Sequence, residues 1–466
     1  MSNSKPRTLG ELRATGYQSR TVKEEMRQNL IDKLRKGDDI FPGIVGYEET
    51  VIPQIENAIL SGQDIVFLGE RGQAKTRIAR SLINLLDEEV PVIQGADLND
   101  DPLNPISAVG KSLVSQLGED TPIEWLHRSR RYGEKLATPD ITISDLIGEV
   151  DPIKVAEGRY LSDEMTIHYG LIPRTNRGIF ALNELPDLAE RIQVGMLNIM
   201  EERDVQIRGY KIRLDLDVFV VASANPEDYT NRGRIVTPLK DRFGSEIRTH
   251  YPKTIDHEIN IIDQESTKFK TEGIELIVPR FMKEIVAEVT HLARRSPDIS
   301  QRSGVSVRVS VSNFENLISN SLRRAIILGE KAAAPRISDL HAIITSTAGK
   351  IELETMGESK EERIVEKLVQ GAVVNTFNRY FTMADFEAII RGFDSGLNME
   401  SSEFMPAMEY VHQAAEIAEL KKAVAKLQAQ GSPVLVASAV EFVLEGMHLN
   451  RKLNKDRSEG KARYRR

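Results

Sequence analysis

Gly69-Glu70-Arg71-Gly72-Gln73-Ala74-Lys75-Thr76 is the stretch on which the reading of this chain turns. A short apolar run, Ile65-Val66-Phe67-Leu68, precedes it, and an amphipathic segment, Ile78-Ala79-Arg80-Ser81-Leu82-Ile83, follows. Strand, glycine-bearing turn, Lys-Thr and helix is the layout of a P-loop, G-x-x-x-x-G-K-[ST]. The order has a physical reason. Backbone N–H groups must curl around phosphates, and a helix N-terminus must point its partial positive charge at them. The pattern predicts a bound ATP-like triphosphate cradled by Gly69 to Thr76, with Lys75 at the β and γ phosphates and the Thr76 hydroxyl on Mg²⁺. Ala74 stands where the pattern has glycine. Alanine is compatible with right-handed helical backbone and carries a cost at positive φ. The competing reading is an ordinary surface turn between strand and helix.

At 466 residues the chain has room for two to four domains of roughly 100–200 residues each. It is 40% hydrophobic and 28% charged, a globular composition able to bury sizeable cores. Cysteine is absent, which excludes disulfides, thiolate zinc sites and cysteine catalysis. No run approaches the roughly 18 apolar residues of a membrane span. No apolar core follows Met1 to Arg7, so a cytoplasmic protein without a secretory signal is expected. The net charge of −8 argues against general nucleic-acid binding. Arg451 to Arg466 is the exception, with eight basic residues against two acidic ones, and reads as a solvated tail.

Downstream segments supply partners for the loop. Residues 1–37 read as a polar leader ending in a helix, Val22 to Lys36. Val90 to Gln94 reads as a second strand. The text from there to Arg177 is irregular, and Ile141 to Gly148 looks like an inserted element. Gly178-Ile179-Phe180-Ala181-Leu182-Asn183-Glu184 reads as a buried parallel strand. At the end of such a strand a P-loop ATPase carries an Asp that organises Mg²⁺ and a Glu that polarises the attacking water. Here Glu184 is present, but Asn183 replaces the acid, so weaker organisation of Mg²⁺ is expected. Asp187 is a candidate to compensate, against the plainer reading of a helix cap. Charges alternate with apolar residues on both sides of Gly209-Tyr210, a hairpin signature. Val218 to Ala222 reads as another buried strand and leads to Asn225, placed to orient water. Leu239-Lys240-Asp241-Arg242-Phe243 then precedes a last strand, Glu246 to Thr249. Arg242 is suited to reach a neighbouring subunit's γ-phosphate.

With these pieces in order, the chain resembles the AAA+ ATPases of the branch containing the magnesium chelatase I subunit and the MoxR proteins. Gly69 to Thr76 matches Walker A, Ile179 to Glu184 Walker B, Ala222-Ser223-Ala224-Asn225-Pro226 sensor 1, and Leu239 to Phe243 the arginine-finger element. The resemblance covers about Ile40 to Lys350. It implies an α/β fold: a P-loop AAA+ core (38–252) with a five-stranded parallel sheet and a helix-2 insert, a helical lid (253–350), a helical C-terminal extension (351–450) and the basic tail (451–466). It also implies Val45 against adenine, Thr76 and Asn183 as the metal side, and Glu184, Asn225 and Arg242 as the catalytic set. Arg308 is the sensor 2 candidate and Arg302 its runner-up, although both lie in β-branched text that reads poorly as helix. The implied cofactors are ATP and Mg²⁺. The implied partners are further copies in a homo-oligomeric, hexameric ring and a separate protein with a von Willebrand A domain. The implied function is a motor that remodels a partner protein. Alternatives are the ATPase subunit of a porphyrin magnesium chelatase, a DNA-translocating helicase-like ring, and a nucleotide-gated scaffold that does not cleave ATP. Beyond the lid, Tyr410, Ala414, Ile417, Leu420 and Val424 fall three or four apart and predict a bundle helix over Met405 to Gln430.

Overall fold

The computed structural model describes residues 5–151, 153, 164–201, 204–207, 210–225, 234–271, 273–301, 303–354, 358–394, 398–458 and 460–466. Arg302 lies outside them. The chain divides into two compact units, one ending at His250 and the other beginning at Tyr251. Among the described residues no helix is long and apolar enough to cross a membrane.

The first unit is built on five parallel strands: β1 (Ile65–Leu68), β2 (Tyr132–Leu136), β3 (Gly178–Asn183), β4 (Val218–Ala224) and β5 (Ser245–Arg248). Their order across the sheet is β5-β1-β4-β3-β2. The central strands read as continuous apolar runs because helices cover both faces. Val66, Phe180, Leu182, Val220 and Ala222 point into one buried cluster, while Ile65, Phe67, Ile179, Phe219 and Val221 point into another.

One strand differs from the sequence reading. Glu89–Ile93 is extended, but it pairs antiparallel with Ile123–His127 and stands outside the five-stranded sheet. Pro91 at its centre has no N–H to give to a ladder. The second strand of the sheet is Tyr132–Leu136, an edge strand whose Gly133, Glu134 and Lys135 disguise it as loop. The inserted element is present as a helix, Ile143–Leu146, and an antiparallel pair, Gly148–Val150 with Ile167–Tyr169. The hairpin pairs Asp204–Ile207 with Tyr210–Arg213.

The leader is tied into this unit. Thr21 caps the helix Val22–Lys36 in a capping box with Glu24. One turn on, buried Glu25 accepts two bonds from Arg131 at 2.8 and 2.6 Å, and the Arg131 Nε–H reaches the Arg177 carbonyl at 2.7 Å. Arg131 is only 1% exposed, so removing its partner would strand a buried cation at a cost of about 3–5 kcal/mol.

The second unit is helical around the rings of Phe281, Phe377 and Phe442. Phe281 and Phe442 stack with centroids 4.6 Å apart, and Phe377 meets Phe442 edge-on at 5.7 Å. A Cβ on Gly446 would lie 2.2 Å from the Phe377 ring, so only glycine admits this packing. The expected single helix over Met405 to Gln430 is two, Ala407–Ala415 and Ala418–Lys426, because Ile417 between them is extended. Tyr410, Ala414, Ile417, Leu420 and Val424 are nevertheless all buried in the unit's own core. Most of the described residues of 451–466 are paired into strands and do not trail as a loose tail. Asn454–Ser458 and Lys461–Arg465 make a hairpin that adds Met399–Ser402 as a third strand. Its bases find local acids, Arg463 at Glu400 (2.7 Å) and Lys455 at Glu445 (2.6 Å).

Glu258 ties three helices of this unit together. Arg294 donates to it at 2.8 and 3.1 Å, and the Ser310 hydroxyl at 2.6 Å. Burial opposes its ionisation, but the His291 ring, Arg294 and Ser310 overcome burial and hold the carboxyl at about 2. The folded value lies below the ordinary 4.5, so its contribution is complete above pH 4.5 and is lost as pH falls toward 2. In thermal unfolding of the intact chain, the midpoint of this unit should drop across that interval. Glu258→Gln should start lower and change far less; parallel curves for the two proteins would rule the pair out as the cause.

Candidate functional site

The site forms where β1, β3 and β4 end, next to the helix Lys75–Ser81. Gly72 and Ala74 both have positive φ, 77° and 58°, and their two left-handed turns aim the loop from β1 into that helix. Ala74 therefore adopts the backbone that costs an L-residue about 1–2 kcal/mol. Gly69 has a different requirement: a Cβ there would lie 2.0 Å from the Thr249 hydroxyl and 2.3 Å from Gln73 Oε1. Thr249 donates to that Gln73 oxygen at 2.7 Å, and the Tyr47 hydroxyl lies 3.0 Å from the Gln73 carbonyl. The loop is thus braced from β5 and from the turn before the helix Ile52–Leu60.

Lys75 is 7% exposed. Its ammonium donates to the carbonyls of Gly69 and Glu70 (the latter at 2.8 Å) and to Asn225 Oδ1 at 2.7 Å. The Asn225 amide nitrogen in turn donates to Glu184 Oε2. An ammonium only donates and a carboxylate only accepts, so the Asn225 amide has one workable orientation between them. Thr76 Oγ1 donates to Asn183 Oδ1 at 3.3 Å, and Ser223 Oγ donates to the same oxygen at 3.3 Å. The Glu184 N–H reaches Ser223 Oγ at 3.3 Å. Glu184 itself is left-handed, φ 58° and ψ 45°, a strained backbone that turns its carboxylate toward Asn225.

Lys75, Thr76, Asn183, Glu184 and Asn225 therefore converge, from loop and strand ends far apart in sequence. Glu70 contributes its carbonyl, and the Arg71 side chain is exposed. Val45 is half-buried in its turn; the residue of that turn that touches the loop is Tyr47, and burial pushes the Tyr47 hydroxyl up to about 12. Arg242 ends the helix Thr237–Arg242 with its guanidinium 3.3 Å from Asp241. Arg308 belongs to the second unit, where it opens the helix Arg308–Leu328 despite the β-branched text. Sequence reasoning missed Glu134, Ser223, Thr249 and Tyr47. Only Ser223, inside the sensor 1 match, carried a signal.

The donor set suits a nucleoside triphosphate with magnesium. Thr76 and Asn183 offer hard, uncharged oxygens of the kind Mg²⁺ accepts alongside water and phosphate. Lys75 brings a cation that donates to neutral carbonyl oxygens, which a phosphate oxygen would out-compete.

No protein-family model matches the chain. Among curated proteins it is similar to magnesium-chelatase subunit ChlI of Nephroselmis olivacea, 23% identical over 322 residues, which covers 66% of this chain and 86% of that protein. It is also similar to the chloroplastic subunit ChlI-1 of Arabidopsis thaliana, 24% identical over 231 residues, with 48% and 51% covered. The chain thus spans about half the length of the second relative. Among solved structures, a chain in a complex between subunits BchI and BchD of magnesium chelatase aligns at 18% identity and TM-score 0.36, covering 70% of this chain and 98% of its own. NtrX of Brucella abortus aligns at 16% identity and TM-score 0.40, with 74% and 66% covered.

The left-handed Ala74 is directly testable. Ala74→Gly should be neutral or stabilising by up to about 1 kcal/mol, since relief of strain is partly offset by a freer unfolded chain. Ala74→Val should destabilise by about 1–2 kcal/mol, because a branched Cβ is worst at positive φ. Denaturant unfolding that finds valine and glycine equivalent would show that the residue is right-handed.

Proposed function

We propose that this chain, an AAA+ ATPase of the branch that holds the magnesium chelatase I subunit and the MoxR proteins, is a magnesium-dependent cytoplasmic motor. It assembles as a ring, six-membered in this reading, and couples ATP hydrolysis to remodelling of a partner protein. The observation that carries the proposal is the line from Lys75 through Asn225 to Glu184 beside the Thr76–Asn183 pair.

In this reading the loop from Gly69 to Ala74 wraps the phosphates and Lys75 exchanges its carbonyl acceptors for phosphate oxygens. Thr76 and Asn183 hold the magnesium ion, which when bound supplies positive charge against the phosphates. Glu184 takes the proton of the attacking water, and Asn225, fixed between the lysine and the carboxylate, sets where that water sits. Such a base typically contributes about 10²–10⁴-fold in rate. Arg242 reaches the γ-phosphate of a neighbouring subunit, where an arginine is worth about 10³–10⁵ in turnover. Arg308 serves as sensor 2, and the partner protein is a separate polypeptide with a von Willebrand A domain.

A second reading, favoured by the names of the curated relatives, is the ATPase subunit of a porphyrin magnesium chelatase. Stimulation of metal insertion in a reconstituted mixture would distinguish it.

Phosphate release provides the test. Lys75→Ala should lose nucleotide binding, whereas Glu184→Gln should keep it and lose turnover by at least about a hundred-fold. Arg242→Ala should be similarly inactive, yet mixing it with Glu184→Gln should restore activity, since some interfaces then pair an intact Glu184 with an intact Arg242. Mixed subunits that stay inactive while still co-assembling would overturn the arrangement in trans, and a wild type without turnover would overturn the motor.

A further inference from the structure

We propose that Glu134 and Asn183 form an exchanged pair, in which strand β2 carries the carboxylate that β3 lacks and thereby holds the Asn183 amide oxygen toward Thr76. The inference rests on the reading of Asn183 as the metal-side residue. Asn183 ends β3 directly opposite Leu136 of β2, and Glu134 lies two residues earlier on that neighbouring strand. Glu134 Oε1 accepts from Asn183 Nδ2 at 2.8 Å.

Three features make this contact directional. Arg80 grips the Glu134 carboxylate with two bonds, 2.7 and 2.8 Å. A guanidinium only donates, so both Glu134 oxygens serve as acceptors in that grip. The amide nitrogen must therefore face Glu134 and the oxygen must face away. On the far side the Glu184 N–H donates into Ser223 Oγ, which leaves the Ser223 proton for Asn183 Oδ1. Thr76 shares that oxygen. Glu134 is thus a positioning residue acting through Asn183, and Asp187 is not the acid that meets it.

The pair also accounts for the missing aspartate. An acid at 183 would set a second carboxylate in the place of the amide nitrogen, at hydrogen-bonding distance from Glu134. Two carboxylates that close repel each other, and neither offers a proton to the other. Restoring the acid alone should then harm the site, and restoring it together with removal of the Glu134 charge should not.

The experiment compares wild type, Asn183→Asp, Glu134→Gln and the double variant in the intact chain. One readout is the magnesium concentration that half-saturates binding of a fluorescent ATP analogue; the other is the thermal midpoint without nucleotide. At neutral pH each single variant should require more magnesium, Asn183→Asp by about ten-fold from the repulsion of two adjacent carboxylates. The double variant should return to the wild-type requirement or below it, with the midpoint recovering in step. Additive single effects in both readouts would overturn the pairing, as would an Asn183→Asp chain that alone binds magnesium better than wild type. If none of the four binds nucleotide, the ATPase reading fails, and coupling in the midpoint alone decides whether the pair stands.

Discussion

A buried ammonium group governs the organisation of the first unit. Lys75 is almost wholly enclosed, and a desolvated cation is tolerable only when each of its N–H bonds meets an oxygen. Among those oxygens are the carbonyls of Gly69 and Glu70 and the side chain of Asn225. Meeting that demand fixes three things at once: the curl of the loop, the end of β4 beside the end of β1, and the rotamer of Asn225. The parallel register of β1 with β4, which sets Leu68 against Ala224, delivers the residue that follows.

The two asparagines carry this order outward. Each amide sits between groups of opposite hydrogen-bonding character, Asn225 between an ammonium and a carboxylate, Asn183 between a carboxylate and hydroxyls. Neither can turn over without opposing donor to donor or acceptor to acceptor. The site therefore has little rotational freedom, which suits a geometry that must not reorganise during reaction. Backbone strain accompanies it. Ala74 in the loop and Glu184 just after β3 are both left-handed. The surrounding bonds hold these residues in conformations that their own preferences disfavour.

The sequence was most legible where a single local pattern is required by physics. The apolar runs of β1, β3 and β4, the glycine-bearing loop and the ends carrying Asn183, Glu184 and Asn225 all followed from buried parallel strands feeding a phosphate-type turn. It was least legible at the sheet edge. Tyr132–Leu136 needs no apolar alternation on its outer side, so it looked like loop, and Glu89–Ile93 with its four apolar residues looked like the missing strand. The C-terminal bases misled for a related reason. Charge alone suggests a solvated tail, whereas hairpin pairing and the acids Glu400 and Glu445 depend on residues elsewhere in the unit.

By itself the sequence determined the glycine-bearing loop with its lysine and threonine, the order of the motifs that follow, and the resemblance to AAA+ ATPases, since each is read from short local patterns along the chain. Tertiary structure decided which way Ala74 is wound, that Tyr47 and Thr249 brace the loop, and that Glu134 meets Asn183. Those contacts join residues up to 176 positions apart in the chain, brought within hydrogen-bonding distance. Local preference has no term for a partner on another strand, and the chemistry of this cleft is set by such partners.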